Sequence, residues 1–257
     1  MNVLNVALVQ HDIVWENTKE NLTNLDGLLD GLDTNVDLVV LPEMFHAGFT
    51  MNPQNVAQSF SDEVLSWMKN KAQDLKVCLI GSVVFTNEEK FFNRLFVFYP
   101  DGKFKYYDKR HLFGIGGENE LYEAGQERLI FEYKGWKICP LICYDLRFPV
   151  WSRNTVDYDL LIYVANWPQP RREVWSVLLR SRSIENQCFV VGVNRVGKDV
   201  NCSYSGDSVV VNPKGSPVLQ FEDGQQAVRS IEISKDELIQ FRDRFPVWKD
   251  RDEFTIL

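Results

Sequence analysis

The chain has 257 residues, 45% hydrophobic and 25% charged, enough for one large core, since roughly three quarters of the unfolded surface of such a chain disappears on folding. A formal net charge of -8, with Lys and Arg scattered, provides no basic footprint for a phosphate backbone or an anionic bilayer, so neither a nucleic-acid nor a membrane partner is expected. The five cysteines, odd in number and without a compact framework, read as thiols of a reducing compartment. No stretch has the form of a secretory signal, and a cytoplasmic location is expected.

The first expected strand covers 3–10, followed by a helix over 17–32 with Leu22, Leu25, Leu28 and Leu29 at helical spacing. A strand at 38–41, an amphipathic helix at 62–75 and strands at 77–85 and 91–99 come next. The turn Pro100-Asp101-Gly102 then predicts a hairpin into 104–107. Strands at 128–133 and 136–142 flank the two-residue turn Lys134-Gly135, and Phe148-Pro149 marks a helix start. The alternation continues with a strand at 160–164, a helix at 173–186 and a strand at 189–194. The β-rich end comprises 208–211, 217–221 and 227–233, and a helix at 235–244 precedes an irregular tail. No repeat or linker divides the chain, so 1–257 reads as a single α/β domain. Hairpins among the strand-helix units favour a mixed sheet or two stacked sheets.

Three of these strands end on chemically loaded residues: Glu43 after DLVVLP, Lys109 after KFKYYD and Cys143 after KICPLI. Ligands of open α/β sheets bind beyond the carboxyl ends of strands, and a base, a cation and a thiol are what attack on a carbonyl requires. Cys143, between a strand and a helix start, is placed as an exposed nucleophile, with the Tyr144 amide able to donate to an oxyanion. Glu43 can take the thiol proton and hand it to a leaving amine, while Lys109 can hold Cys143 as thiolate and stabilise the tetrahedral oxygen. Each has a plainer reading taken alone: Cys143 as one more core cysteine in period with Cys139, Glu43 as a loop acid, Lys109 as part of a basic loop with Arg110 and His111. Cys78, Cys139 and Cys188 read as inert core thiols. Cys202 lies in a polar loop without a signal.

Taken together, LVVLPEMF, YYDKRHLF and LICYDLRFP resemble the three signature blocks of the nitrilase, or carbon-nitrogen hydrolase, superfamily over nearly the whole chain. The resemblance implies a four-layer α-β-β-α sandwich of the nitrilase type, with Glu43 as general base, Lys109 as oxyanion-stabilising cation and Cys143 as nucleophile. It also implies a second, supporting acid at Glu118 in GGENELYEAG, where Glu120 and Glu123 compete. Asn166-Trp167 resembles the family segment that forms a pocket wall, and Phe49 and Phe113 are further wall candidates that as aromatics could equally be core.

Within the superfamily, PEMFHAGF, RHLFGIGGENELYEAG, LICYDLRFPVW and FPVWKDRDEF resemble the omega-amidases, which deamidate short 2-oxo dicarboxylic acid monoamides such as 2-oxoglutaramate and 2-oxosuccinamate. Arg147, Arg171 and Arg172 are candidates for the anionic end of such a substrate, against a plainer role as ion-pair partners. A nitrilase or another aliphatic amidase or N-carbamoyl amidohydrolase would use the same triad, and a non-catalytic binding module on this fold is the reading from a different class. No cofactor is expected. No metal is expected either, because Cys139 and Cys143 lack the CxxC spacing of zinc knuckles and no HExxH occurs. The superfamily likeness further implies a homodimer, with the tail 245–257 reaching the partner or closing the chain's own sheet edge.

Overall fold

The computed structural model describes residues 2–256. They form β1 (Val3–Gln10), α1 (Thr18–Leu29), β2 (Leu38–Val40), α2 (Pro53–Asp74), β3 (Cys78–Asn87), β4 (Lys90–Phe98), β5 (Phe104–Asp108) and the short α3 (Glu118–Leu121). There follow β6 (Phe131–Tyr133), β7 (Trp136–Ile142), α4 (Pro149–Ser152), β8 (Leu160–Ala165), α5 (Arg172–Asn186) and β9 (Phe189–Asn194). The chain continues with β10 (Val196–Lys198), β11 (Ser203–Ser205), β12 (Val209–Val211), β13 (Pro217–Gln220), β14 (Ala227–Ser234) and α6 (Lys235–Arg244).

Among the described residues the strands make two six-stranded sheets, in the orders β14-β1-β2-β3-β4-β5 and β6-β7-β8-β9-β12-β13, and a two-stranded ribbon of β10 and β11. Read in those orders, both sheets run antiparallel, parallel, parallel, antiparallel, antiparallel. The sheets face each other. Alternation along β1 shows how the layers arise: Leu4, Val6 and Leu8 enter the core between the sheets, whereas Ala7 and Val9 pack outward with Leu22, Leu25 and Leu29 of α1 and Val64 and Met68 of α2. On the far side Trp175 and Leu179 of α5 close the second sheet. The result is the expected α-β-β-α order of layers. No helix among the described residues is long and apolar enough to cross a membrane.

Several boundaries differ from those read in the sequence, each for a local reason. α1 starts after Asn17, whose side chain accepts the Glu20 N–H at 3.2 Å and caps the helix. α2 begins at Pro53, nine residues before the expected start, because PQNVAQSFS lacks an apolar period although Pro suits the first turn. β6 covers only Phe131–Tyr133 of the expected 128–133, and the helix expected at Phe148-Pro149 is a four-residue turn preceded by a 3₁₀ segment over Cys143–Arg147. The β10–β11 ribbon went unread, since VGKDVNCSYS is polar and its pairing is set by contacts from elsewhere in the chain. The tail packs on its own chain through Trp248 N–H to Gln187 Oε1 (3.1 Å) and an Arg251–Asp157 ion pair (2.7 Å), and it adds no strand to a sheet edge. Leu257, its last residue, lies outside the described residues.

Candidate active site

Beyond the carboxyl ends of β2, β5, β7 and β8 lies a pocket of about 290 Å³. Its lining includes Glu43, Lys109 and Cys143, with Tyr144, Asn166 and Trp167 around them; Phe49, Phe113, Arg147 and Arg171 complete the set named from the sequence. Glu118 stands outside that lining, fully buried against Lys109.

The acids and the amine form one closed cluster. Lys109 Nζ lies 3.0 Å from Glu43 Oε1 and 2.9 Å from Glu118 Oε2, and all three side chains are almost completely shielded from solvent. Burial by itself would lower the Lys109 pKa, but the Glu118 and Glu43 carboxylates outweigh it and raise the pKa above the usual lysine range, so the ammonium persists. Glu118 is raised by burial, opposed by the Lys109 charge, and its Oε2 also accepts the Phe113 N–H at 2.6 Å. Glu43 is held from the second sheet: its Oε2 accepts the Asn166 N–H at 2.7 Å, and its backbone carbonyl accepts the Asn166 side chain at 2.6 Å. Glu120 and Glu123 are exposed, and Glu123 faces Lys90 at 3.6 Å. Gly125 secures the loop carrying Glu118, since a Cβ there would meet the Asp108 carbonyl oxygen at 2.1 Å, and its N–H donates to the Lys109 carbonyl at 2.9 Å.

Cys143 leaves the strand with φ of +42°, a left-handed conformation that a non-glycine residue holds at a cost of about 1–3 kcal/mol. This breaks the period-two alignment with Cys139 and turns the thiol out of the core. Asp145 holds the turn: its buried carboxylate accepts the Ile142 N–H (3.0 Å), the His111 N–H (3.0 Å) and the Tyr107 hydroxyl (2.8 Å), with His111 Nδ1 at 2.8 Å. His111 in turn stacks on Phe148 at 3.8 Å. Burial, then the Glu43 carboxylate beside it, raises the Cys143 thiol well above the ordinary cysteine range, and Lys109 only partly offsets them. Burial and the Glu43 carboxylate thus oppose the thiolate that the Lys109 charge favours. With the thiol pushed up, attack by its sulfur calls for a base to take the proton, and Glu43 stands beside it.

The arginines separate clearly. Arg172 pairs with Asp207 (2.6 Å) and Asp223 (3.1 Å) outside the pocket, which removes it as a substrate contact. Arg147 lies over the Trp167 ring at 5.0 Å and Arg171 over Phe113 at 5.6 Å; among the described residues neither has an acidic partner within salt-bridge distance. Phe49 faces the Lys109 ammonium at 5.1 Å. Cys78, Cys139 and Cys188 are buried as expected, but Cys202 lines the pocket because the β10–β11 ribbon folds over it. Sequence reading also missed Asn93, which donates to both acids, Ser82, which donates to Asn93, and the Asp145–Tyr107–His111 network. An amide inside the aromatic strand KFFNRLFVF is the detectable signal for Asn93. Among the described residues no group of three or more His, Cys, Asp or Glu side chains is arranged to hold a metal.

The carbon-nitrogen hydrolase family model matches residues 5–243. Over 256 residues the chain is 47% identical to the omega-amidase YafV of Escherichia coli (strain K12), covering 98% of each. It is 32% identical over 250 residues to the 2-oxoglutaramate amidase of Bacillus subtilis (strain 168), covering 95% of this chain and 96% of that one. Among solved structures, a CN-hydrolase superfamily protein from Xanthomonas campestris with an arsenic adduct in its active site matches with a TM-score of 0.97 at 42% identity, covering all of both chains. By sequence along almost its entire length, and by the two-sheet sandwich that carries the pocket, this chain belongs to the carbon-nitrogen hydrolase family.

Proposed function

We propose that this protein is an omega-amidase: it releases ammonia from the terminal amide of a small 2-oxo dicarboxylic acid monoamide, 2-oxoglutaramate or 2-oxosuccinamate, through a cysteine thioester. The observation that carries the chemistry is the Glu43–Lys109–Glu118 cluster in contact with the pocket that holds the Cys143 turn. Glu43 takes the thiol proton as sulfur attacks the amide carbon, and the Lys109 ammonium with the Tyr144 backbone N–H stabilises the oxyanion. Glu43 then delivers the proton to nitrogen, the C–N bond breaks and ammonia leaves. Water, deprotonated by Glu43, attacks the thioester, and the acid and free thiol are regenerated. Glu118, bonded to Lys109 and to the Phe113 N–H, holds the ammonium in place.

The choice among amides follows from similarity to the two amidases and from Arg147 and Arg171, which have no acidic partner among the described residues and suit a carboxylate at the substrate's far end. Trp167, Phe49 and Phe113 supply the apolar walls between. The enzyme acts as a single cytoplasmic domain and as a homodimer, the latter supported by exposed Val177 and Ile184 on α5 and by Phe245 and Phe254 of the tail. Ammonia release from 2-oxoglutaramate, compared with Cys143→Ala, tests the reaction. Equal release from both proteins would sink it.

A further inference from the structure

We propose that Asn93 is the positioning residue that keeps the two buried acids in different roles, leaving Glu43 free for proton transfer and Glu118 committed to Lys109. It presupposes the amide hydrolysis proposed above.

The orientation of Asn93 is set by a relay of hydrogen bonds. The Met44 N–H donates to Ser82 Oγ at 2.9 Å, so the Ser82 hydroxyl proton goes to Asn93 Oδ1, also at 2.9 Å. That leaves Asn93 Nδ2 to donate to Glu43 Oε1 (2.8 Å) and Glu118 Oε1 (3.1 Å). The Asn93 carbonyl meanwhile accepts the Lys109 N–H at 3.0 Å, so one fully buried residue touches every charged member of the cluster. Two carboxylates this close in a dry interior would otherwise share a proton. An amide supplies two donor hydrogens and has no proton to surrender, so it separates the acids without titrating.

The groups facing the acids are Lys109 at the end of β5, Cys143 after β7 and Tyr122 after α3, whose hydroxyl donates to the Thr50 carbonyl at 2.8 Å. With Glu43 Oε1 occupied by Asn93 and Lys109, Oε2, held by the Asn166 N–H, remains to receive the thiol proton.

The test uses Asn93→Leu, close in size but without donors, together with Ser82→Ala and Ser82→Thr. Its readouts are kcat, KM and the pH profile on 2-oxoglutaramate and, without substrate, the pH profile of Cys143 alkylation by iodoacetamide. Asn93→Leu should lower kcat roughly 100-fold with KM little changed, as befits impaired proton transfer. The acid limb should move to higher pH in both profiles, because a carboxylate deprived of donors protonates more readily. Ser82→Ala should shift the limb the same way with a fall of about tenfold, and Ser82→Thr should restore it. A folded Asn93→Leu that keeps the wild-type acid limb in alkylation overturns the assignment. If that variant does not fold, an unmoved limb in Ser82→Ala does so. Failure of the wild type to release ammonia would refute the amidase reading instead, while the alkylation profiles still decide the part played by Asn93.

Discussion

The two six-stranded sheets share one run of pairings yet bring different chemistry to the pocket. In matched positions β1 leads to His11 and β7 to Cys143, β2 leads to Glu43 and β8 to Asn166, and β5 leads to Lys109 where β13 leads to Phe221. The first sheet therefore holds the charges, tied to one another by Lys109 and Asn93, and the second holds the Cys143 thiol and the backbone N–H that reaches across to Glu43. The ion cluster is part of what holds the first half together, because removing one of its members strands a buried charge. The thiol has no such structural duty. It sits on a strained turn fixed by Asp145 and can be lost without unbalancing the core.

That contrast predicts opposite signatures for two variants. Cys143→Ala should lower amidase activity at least about a thousandfold and leave the unfolding midpoint in urea nearly unchanged. Lys109→Met should lose activity roughly 100- to 1000-fold and also about 3–5 kcal/mol of stability, since Glu43 and Glu118 then face each other without a cation. Matching denaturation curves for the two variants would erase the distinction between the halves.

A smaller effect separates substrate capture from chemistry. Arg171→Ala or Arg147→Ala should raise KM for 2-oxoglutaramate on the order of tenfold or more, the equivalent of about 1.5–3 kcal/mol for a charged hydrogen bond, with kcat for a short neutral amide unchanged. A KM unaffected in both variants would reassign the carboxylate site.

A graded effect concerns acid stability and rests on two buried histidines of the first half. Burial lowers His46 to about 3, and burial with the nearby Arg195 charge lowers His11 to about 4, from an ordinary 6.5. The folded state keeps both rings neutral while the unfolded chain binds protons below about pH 6.5, so stability falls as pH drops from 6.5 toward 4. Each ring contributes roughly 1.4 kcal/mol per pH unit in that window. His46 is neutral by bonding as well, since Nε2 accepts the Val84 N–H at 3.1 Å. Urea midpoints followed from pH 7 to 4 should therefore decline, and His46→Gln should flatten the slope by about half. A wild-type slope near zero would show that both rings take up protons in the folded state as readily as in the unfolded chain, and would overturn this reading.

How far this could be read in advance differs by the range of the interaction. The strand endings at Glu43, Lys109 and Cys143 were legible because strand period, turn residues and the reactive residue that follows are all encoded within a few positions. Glu118 was legible only through resemblance, with Glu120 and Glu123 as rivals, because burial against Lys109 is what distinguishes it. Asn93 and Ser82 escaped because a polar residue in a strand acquires meaning only from what faces it: for Asn93, acids 50 and 25 positions away, and for Ser82, Asn93 itself.

By itself, then, the amino-acid sequence determined the alternation of strands and helices and the layered α/β class, and it placed Glu43, Lys109 and Cys143 at strand ends, since these depend on local period and local order. Tertiary structure alone decided that Arg172 is paired while Arg147 and Arg171 have no acidic partner among the described residues, that Cys202 faces the pocket, and that burial and Glu43 push the Cys143 thiol up. The physical reason is common to all of these. Protonation and pairing are set by desolvation and by charges brought together from distant parts of the chain, and neither exists until the two sheets have closed on each other.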